Sequence, residues 1–129
     1  MYCLDSNIVA LIFRGDEKLR EKASSVGPDS VSITTIALCE LFKGAYKSSR
    51  AEENINLIHD VLKNYKLLSL DIKSSEIYGM DFIKLEKMGK PTQVLDLMIA
   101  SIAKANNLIL VTKNKKHFEN IQSLKIEEW

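Results

Sequence analysis

Residues 92–111, TQVLDLMIASIAKANNLILV, decide the fold class of this chain. The spacing of their apolar residues predicts a helix that Thr92 can cap and that ends near Asn106 and Asn107. The apolar run 108–111 follows at once and has the length of a buried strand. A helix that leads directly into a short buried strand is the repeating unit of α/β proteins.

The same alternation of helix-period segments and short apolar runs extends over the whole chain, with no internal repeat. It predicts a mostly parallel sheet with helices on both of its faces, and hence an α/β fold. Besides 108–111, strands are predicted at 2–4, 31–33, 67–70 and, as an edge strand, 124–126. Helices are predicted at 6–13, 16–26, 35–47, 51–65, 71–88 and 92–107, with a short helical stretch at 116–119.

Length and composition favour one globular domain that spans residues 1–129. No stretch rich in Pro, Gly or Ser would serve as a linker, and 46% hydrophobic and 27% charged residues are typical of globular proteins. The net charge is only +1, because 18 basic residues face 17 acidic ones. A nucleic-acid partner therefore has to be argued from local clusters rather than from overall charge.

The chain shows no sign of export or membrane insertion. Its first residues carry no basic region followed by an apolar stretch and a cleavage site, and no apolar run approaches the roughly 20 residues needed to cross a bilayer. Cys3 and Cys39 have no Cys-x-x-Cys spacing, so we expect both to be reduced thiols in the core. A cytoplasmic location with no membrane partner is expected.

Asp5 stands where the first strand gives way to the first helix. In an α/β sheet, ligands bind at the carboxyl ends of the strands, and this position favours a functional carboxylate. The alternative is a purely structural helix cap, since Asp is a preferred residue there.

Glu40 and Asp96 are carboxylates on helix faces that otherwise suit packing. Glu40 lies within the helix predicted at 35–47, and a buried charge there needs a partner, either a metal ion or a cation such as Lys43. Asp96 lies beside the apolar stripe of Ile99, Ala100 and Ala103 and has no basic neighbour at helical spacing. Its alternative role is to interact with the helix N-terminus.

These three carboxylates can converge at one end of the predicted sheet. Mg²⁺ and Mn²⁺ prefer oxygen ligands, and such a pocket would bind one or two ions without any His or Cys. A divalent ion in an acidic pocket supports phosphodiester hydrolysis.

Four segments of the chain resemble PIN domains, and among them the VapC-type toxins. They are LDSN at 4–7, SITTIALCELFKG at 32–44, LDLMIA at 95–100, and LVTKN at 110–114 followed by Phe118. The segments occur in the family's order and span nearly the whole chain, so together they are far more specific than any one alone.

The resemblance implies a three-layer α/β/α sandwich with a mostly parallel central sheet. It also implies an acidic pocket in which Asp5, Glu40 and Asp96 bind Mg²⁺ or Mn²⁺. Ser6 stands where the family more often has Thr, and Asn7 keeps the family's amide as a hydrogen-bonding group behind the metal ligands.

The chain departs from the family at a fourth acidic position after the last long strand. Asn114 and His117 stand at the two places where that acid is commonly found. Asn114 is the candidate to hydrogen-bond a metal-bound water, Thr112 is placed to help with its hydroxyl, and Glu119 is a candidate substitute. The presence of a second metal ion is therefore left open.

Basic residues near the end of the predicted strand 108–111 are candidates for contacts with RNA. Lys113, Lys115, Lys116 and His117 would meet the RNA backbone by charge, although a solvated basic turn is an equally simple interpretation. Lys43, Lys47 and Arg50 form a second possible contact.

The function that the resemblance implies is a metal-dependent endoribonuclease, held inactive by a small antitoxin and usually dimeric. An alternative is a degenerate PIN domain that binds RNA or protein without cutting. A phosphoacceptor receiver-like domain fits poorly, because Ser6 rather than a second acid follows Asp5. No base-reading motif identifies the RNA.

Overall fold

The structure is a computed structural model that describes all 129 residues. Its strands are β1 (Tyr2–Leu4), β2 (Val31–Thr34), β3 (Lys66–Leu68), β4 (Ile109–Val111) and β5 (Ile126–Glu127). Its helices are α1 (Ser6–Phe13), α2 (Glu17–Ser25), α3 (Thr35–Lys47), α4 (Ala51–Leu62), α5 (Ile72–Lys87) and α6 (Val94–Ala105). Short 3-10 turns cover Pro28–Ser30 and Lys115–His117.

The five strands form one parallel sheet in the order β3-β2-β1-β4-β5. In the central strand, Cys3 pairs with Ser32 on one side and with Leu110 on the other. Strands β2 and β3 are added in sequence on one side of β1, and the chain then crosses the sheet so that β4 pairs with the other side of β1. Because such crossovers are almost always right-handed, α1 to α4 cover one face and α5 and α6 the other. The predicted three-layer α/β/α arrangement is confirmed.

The reversal of strand order creates a crevice at the carboxyl ends of β1 and β4. In open α/β sheets, this switch point is where ligands bind. The central strands that hold the crevice are apolar and fully buried at Leu4, Leu110 and Val111, as is the stripe of α6 that packs on the sheet. A rigid core thus supports the residues that emerge at the switch point.

The bounds of several elements differ from those predicted. β3 ends at Leu68 rather than at residue 70, and β5 begins at Ile126 rather than at residue 124. Both are edge strands, and Leu67 is 46% exposed, so burial fixes their ends less strictly than it does for the central strands. β5 does lie at the edge of the sheet, as predicted.

The helix ends differ by a few residues, and one predicted cap is wrong. α6 begins at Val94, and Gln93 rather than Thr92 stands at the cap position without a side-chain hydrogen bond. α4 ends at Leu62 instead of residue 65, because the chain turns into β3. The predicted helical stretch at 116–119 is a single 3-10 turn.

The two cysteines have different environments. Cys3 is fully buried, and burial together with the charge of Asp5 raises its pKa to about 12, so it remains a thiol. The prediction that Cys39 is buried is wrong, since its side chain lies on the exposed side of α3. Both thiols are free.

None of the six helices combines the length and the apolar character that a membrane span requires.

Candidate active site

Asp5 is the N-cap of α1 and at the same time the most deeply buried carboxylate of the crevice. Its Oδ1 accepts the backbone N–H of Ile8 at 2.9 Å, and its Oδ2 accepts the hydroxyl of Thr112 at 2.5 Å. Only 4% of the residue is exposed. Asp5 therefore has the predicted role of a helix cap, and its second oxygen lies at the end of β4, where the functional role is predicted.

Burial raises the pKa of Asp5 above its ordinary value. The hydrogen bonds from Ile8, Thr112 and the backbone of Asn7, and the nearby His117, act in the opposite direction without reversing the shift. A buried carboxylate with a raised pKa gains from a cation placed beside it.

Asp96 lies in the first turn of α6 and is half-buried. Its Oδ2 is 3.3 Å from Nδ1 of His117. Burial raises the pKa of Asp96, His117 lowers it, and the negative charges of Asp5 and Glu40 raise it further. Asp96 thus lies within reach of the charges of both Asp5 and Glu40.

Glu40 is half-buried in the middle of α3 and has no ion-pair partner. The alternative in which Lys43 neutralises it is therefore not found. Glu40 lines a groove of about 400 Å³ between α1, α3 and α4, together with Arg14 and Leu41. Sequence reasoning did not single out Arg14, whose only signal is a lone cation after the apolar end of α1.

A chain of hydrogen bonds connects Asp5 to Asp96 through the segment after β4. Thr112 Oγ1, which donates to Asp5, accepts the backbone N–H of Asn114 at 2.9 Å. The side-chain nitrogen of Asn114 lies 2.9 Å from Nε2 of His117, whose other ring nitrogen faces Asp96. If the Asn114 amide donates to Nε2, the ring proton is on Nδ1 and is donated to Asp96.

The two side chains at the family's fourth acidic position thus act together. Asn114 and His117 contact each other, and His117 reaches Asp96. The i,i+3 spacing of Asn and His in a tight turn was the only sequence signal for this contact. Glu119 is exposed and forms no hydrogen bond or ion pair, so nothing supports it as a substitute for the missing acid.

The remaining predicted residues surround the crevice less closely. Ser6 and Asn7 open α1 next to Asp5, with Ser6 half-buried and Asn7 exposed. Exposed basic residues follow β4 and extend along and beyond α3, namely Lys113, Lys115, Lys116, Lys43, Lys47 and Arg50.

The chemistry of the donors fits a hard divalent cation. The charges of Asp5 and Glu40 both act on Asp96, and no Lys or Arg pairs with any of the three carboxylates. No three acidic, histidine or cysteine side chains surround one point closely enough to ligate an ion together. A hard divalent ion that keeps several of its waters commonly takes only one or two carboxylates from a protein, so a set of three close ligands is not required.

Comparisons with known proteins agree with this architecture. The family model of the PIN domain matches residues 2–124. "Ribonuclease VapC2" of Haemophilus influenzae is 36% identical over 130 residues, which cover 99% of this chain and 97% of the relative. The "tRNA(fMet)-specific endonuclease VapC" of Shigella flexneri is 28% identical over 128 residues, which cover 99% and 97% of the two chains.

Solved structures with the same fold come from the same group of proteins. The crystal structure of VapBC2 from Rickettsia felis, bound to a DNA fragment from its promoter, contains a chain that matches with a TM-score of 0.93 and 30% identity. The alignment covers 99% of this chain and 98% of that one. DNA-bound VapBC from Salmonella typhimurium also matches with a TM-score of 0.93, at 29% identity, over 99% and 97% of the two chains. With its parallel five-stranded sheet and its acidic crevice at the switch point, this chain belongs to the PIN-domain family.

Proposed function

We propose that this chain is a metal-dependent endoribonuclease that acts as the toxin of a toxin-antitoxin pair. The observation that carries the proposal is the group of three carboxylates without a lysine or arginine partner, at the switch point of the sheet. The relatives named as ribonucleases support RNA as the substrate.

Asp5 and Asp96 are the residues that would hold Mg²⁺ or Mn²⁺, and Glu40 adds negative charge beside them. Both aspartates have raised pKa values that a cation would relieve. When bound, a divalent ion lowers the pKa of a water and neutralises charge on a phosphodiester.

The residues of the chain supply orientation and substrate contacts. Thr112 holds Asp5, and His117 holds Asp96, so both carboxylates are fixed before the substrate arrives. Asn114 lies between them and is placed to hydrogen-bond the attacking water. Ser6 and Asn7 line the entrance from the side of α1.

The exposed Lys113, Lys115 and Lys116 beside the crevice would hold the RNA backbone near the carboxylates. Their charge attracts phosphates without reading bases, so they contribute affinity rather than sequence preference.

Several further properties belong to the same proposal. The matching VapBC structures support a small cognate antitoxin as the partner. We infer that the 129 residues act as one domain, that the protein works in the cytoplasm, and that it forms a homodimer.

A second candidate is a PIN domain that binds RNA or a partner protein without cutting. The observation in its favour is that Asn114 and His117 stand where the family commonly has a fourth acid, and they bond to each other. A site that lacks that acid has less charge to hold a second ion.

The experiment that separates the two candidates is incubation of the purified protein with total RNA. We expect the wild-type protein to cleave RNA in Mg²⁺ or Mn²⁺ and not in excess chelator. We expect Asp5→Asn not to cleave in either condition. RNA ends mapped from the products identify the substrate. Retention of intact RNA by wild-type protein in both ions would favour the binding module, and full cleavage in chelator would exclude a metal-dependent reaction.

A further inference from the structure

A basic groove lies away from the acidic crevice, at the amino ends of β4 and β5. It has a volume of about 400 Å³ and lies between α5, the end of α6 and the segment before β5. Its polar lining consists of Lys84, Lys104, Lys125, Asn107, Gln122 and Ser123, which we call the lysine groove. No carboxylate lines it.

Several carbonyl acceptors at the end of α6 are already used, and this favours donors in the groove. α6 ends here, and a helix C-terminus would normally expose carbonyl oxygens that repel an anion. Three of these carbonyls accept hydrogen bonds: Ile102 from the Asn106 side chain at 2.8 Å, Ala103 from Leu108 at 2.9 Å and Lys104 from Asn107 at 3.1 Å.

Two of the donors are held in fixed orientations. Lys104 is 2.6 Å from the buried Asp81, which leaves two of its three N–H bonds for a ligand. Gln122 accepts a hydrogen bond from Lys84 through its side-chain oxygen at 3.2 Å, so its NH₂ group remains free to donate.

Two residues of the groove have left-handed backbone. Asn107 and Ser123 are the only non-glycine residues of the chain with a positive φ, at 57° and 63°. Both line this one cavity. At Asn107 this conformation ends α6 in a common way, with the N–H of Leu108 bonded to Ala103, so it sets the shape of the groove and does not by itself indicate a ligand.

The groove is too far from the carboxylates to be part of the cleavage site. Lys104 follows Asp96 by eight residues on α6, which corresponds to about 12 Å along the helix axis. A second cavity of about 300 Å³ shares Lys84 and Gln122 with the groove and also contacts Lys87, at the end of α5. From there the chain leads into the first turn of α6, where Asp96 lies.

We propose that the lysine groove binds phosphate groups of the RNA at a distance from the bond that is cut. This rests on the proposed function, because it assigns a second contact to the same substrate. The groove is lined by three lysine ammonium groups, and the one carboxylate that pairs with any of them is Asp81. The amides of Asn107 and Gln122 and the hydroxyl of Ser123 supply neutral donors. An RNA long enough to reach the groove would gain affinity, whereas a short RNA would not.

The test compares Lys84→Gln and Lys125→Gln with the control Lys18→Gln. All three lysines are exposed, and Lys18 lies on α2, on the opposite face of the sheet. Binding of a long single-stranded RNA to each variant is measured in the Asp5→Asn background as a function of salt. Each groove substitution should lower the slope of log K against log salt by about 0.7 and weaken binding about fivefold at about 0.1 M salt, beyond any effect of the control.

Two further measurements identify the source of the phosphate. In proteins with Asp5 intact, the groove substitutions should raise KM for the long RNA and leave cleavage of a tetranucleotide unchanged. Inorganic phosphate titrated against the amide signals of Asn107 and Ser123 tests a free anion. If phosphate shifts those signals while Lys84→Gln and Lys125→Gln leave RNA affinity unchanged, the groove holds a free anion, and its assignment to RNA is wrong.

Two other results would each overturn the assignment of the groove to RNA. Groove variants that bind RNA like the Lys18→Gln control would overturn the proposal while leaving the ribonuclease activity intact. A wild-type protein that neither binds nor cuts RNA would overturn the proposed function and this second contact with it.

Discussion

Replacing Asp5 by Asn removes one negative charge while keeping nearly the same shape. The new side chain retains Oδ1 for the N–H of Ile8, so the cap of α1 survives. The oxygen that accepts from Thr112 becomes an NH₂ group, and the Thr112 hydroxyl can accept from it instead. We therefore expect stability in chelator to change by no more than about 1 kcal/mol.

The effect on metal binding and cleavage should be large. At ten times its Kd, an ion that binds only the folded wild type stabilises it by about 1.4 kcal/mol, or about 5 °C in Tm for a chain of this size. Asp5→Asn should lose that shift, and its cleavage rate should fall by about 10³-fold, equivalent to about 4 kcal/mol.

Asp5→Ala is the matched control, because it removes the cap as well as the charge. It should cut RNA as poorly as Asp5→Asn but melt about 4 °C lower in chelator, since losing an Asp cap costs about 1 kcal/mol. Thermal melting with and without Mg²⁺, together with initial cleavage rates, measures all three proteins. Cleavage by Asp5→Asn within tenfold of wild type would refute the assignment of this carboxylate.

Three further predictions concern pH, His117 and the buried ion pair. Because Asp5 and Asp96 have raised pKa values, the folded protein keeps protons that the unfolded chain releases near 3.8. In chelator, the unfolding free energy should therefore fall as pH rises through those pKa values. The Mg²⁺ affinity measured by calorimetry should rise over the same pH range, and an affinity that does not depend on pH would contradict this. His117 lowers the pKa of Asp96, so His117→Ala should move the rise in Mg²⁺ affinity to higher pH, and an unchanged profile would show that their contact has no influence on the site. Asp81→Ala leaves the nearly buried Lys104 without its partner and should lower the free energy of unfolding by about 3–5 kcal/mol in denaturant titrations. The double variant Asp81→Leu, Lys104→Met should recover most of that loss. Equal losses in the two variants would disprove the ion-pair explanation.

Much of the fold follows from local sequence patterns. Apolar runs such as 108–111 identify the central strands, because those strands are buried on both faces and are mostly apolar. In β2 the buried Ser32 and Thr34 interrupt this pattern. The edge strands are less constrained, and β3, with Leu67 46% exposed, begins and ends a residue or two from its predicted position. The exposed Cys39 shows the same limit, since helical periodicity alone does not say how wide the covered face of α3 is.

The site was predictable as a set of residues but not as a network. Asp5, Glu40 and Asp96 each stand out as carboxylates in apolar surroundings. The hydrogen bond from Thr112 to Asp5 joins residues 107 positions apart, and the pair Lys104 and Asp81 is 23 apart, so neither leaves a local pattern. The chain from Thr112 through Asn114 to His117 depends on the turn after β4, whose shape is set by packing.

The most direct test of the proposed activity uses a circular RNA that contains a site mapped in total RNA. A circle has no ends, so only an endonuclease can open it, and gel mobility distinguishes the opened form from the bound form. The wild-type protein in Mg²⁺ should convert the circle to a linear product, and chelator or Asp96→Asn should prevent the conversion. A circle that stays closed in Mg²⁺ while the protein binds it would contradict an endoribonuclease.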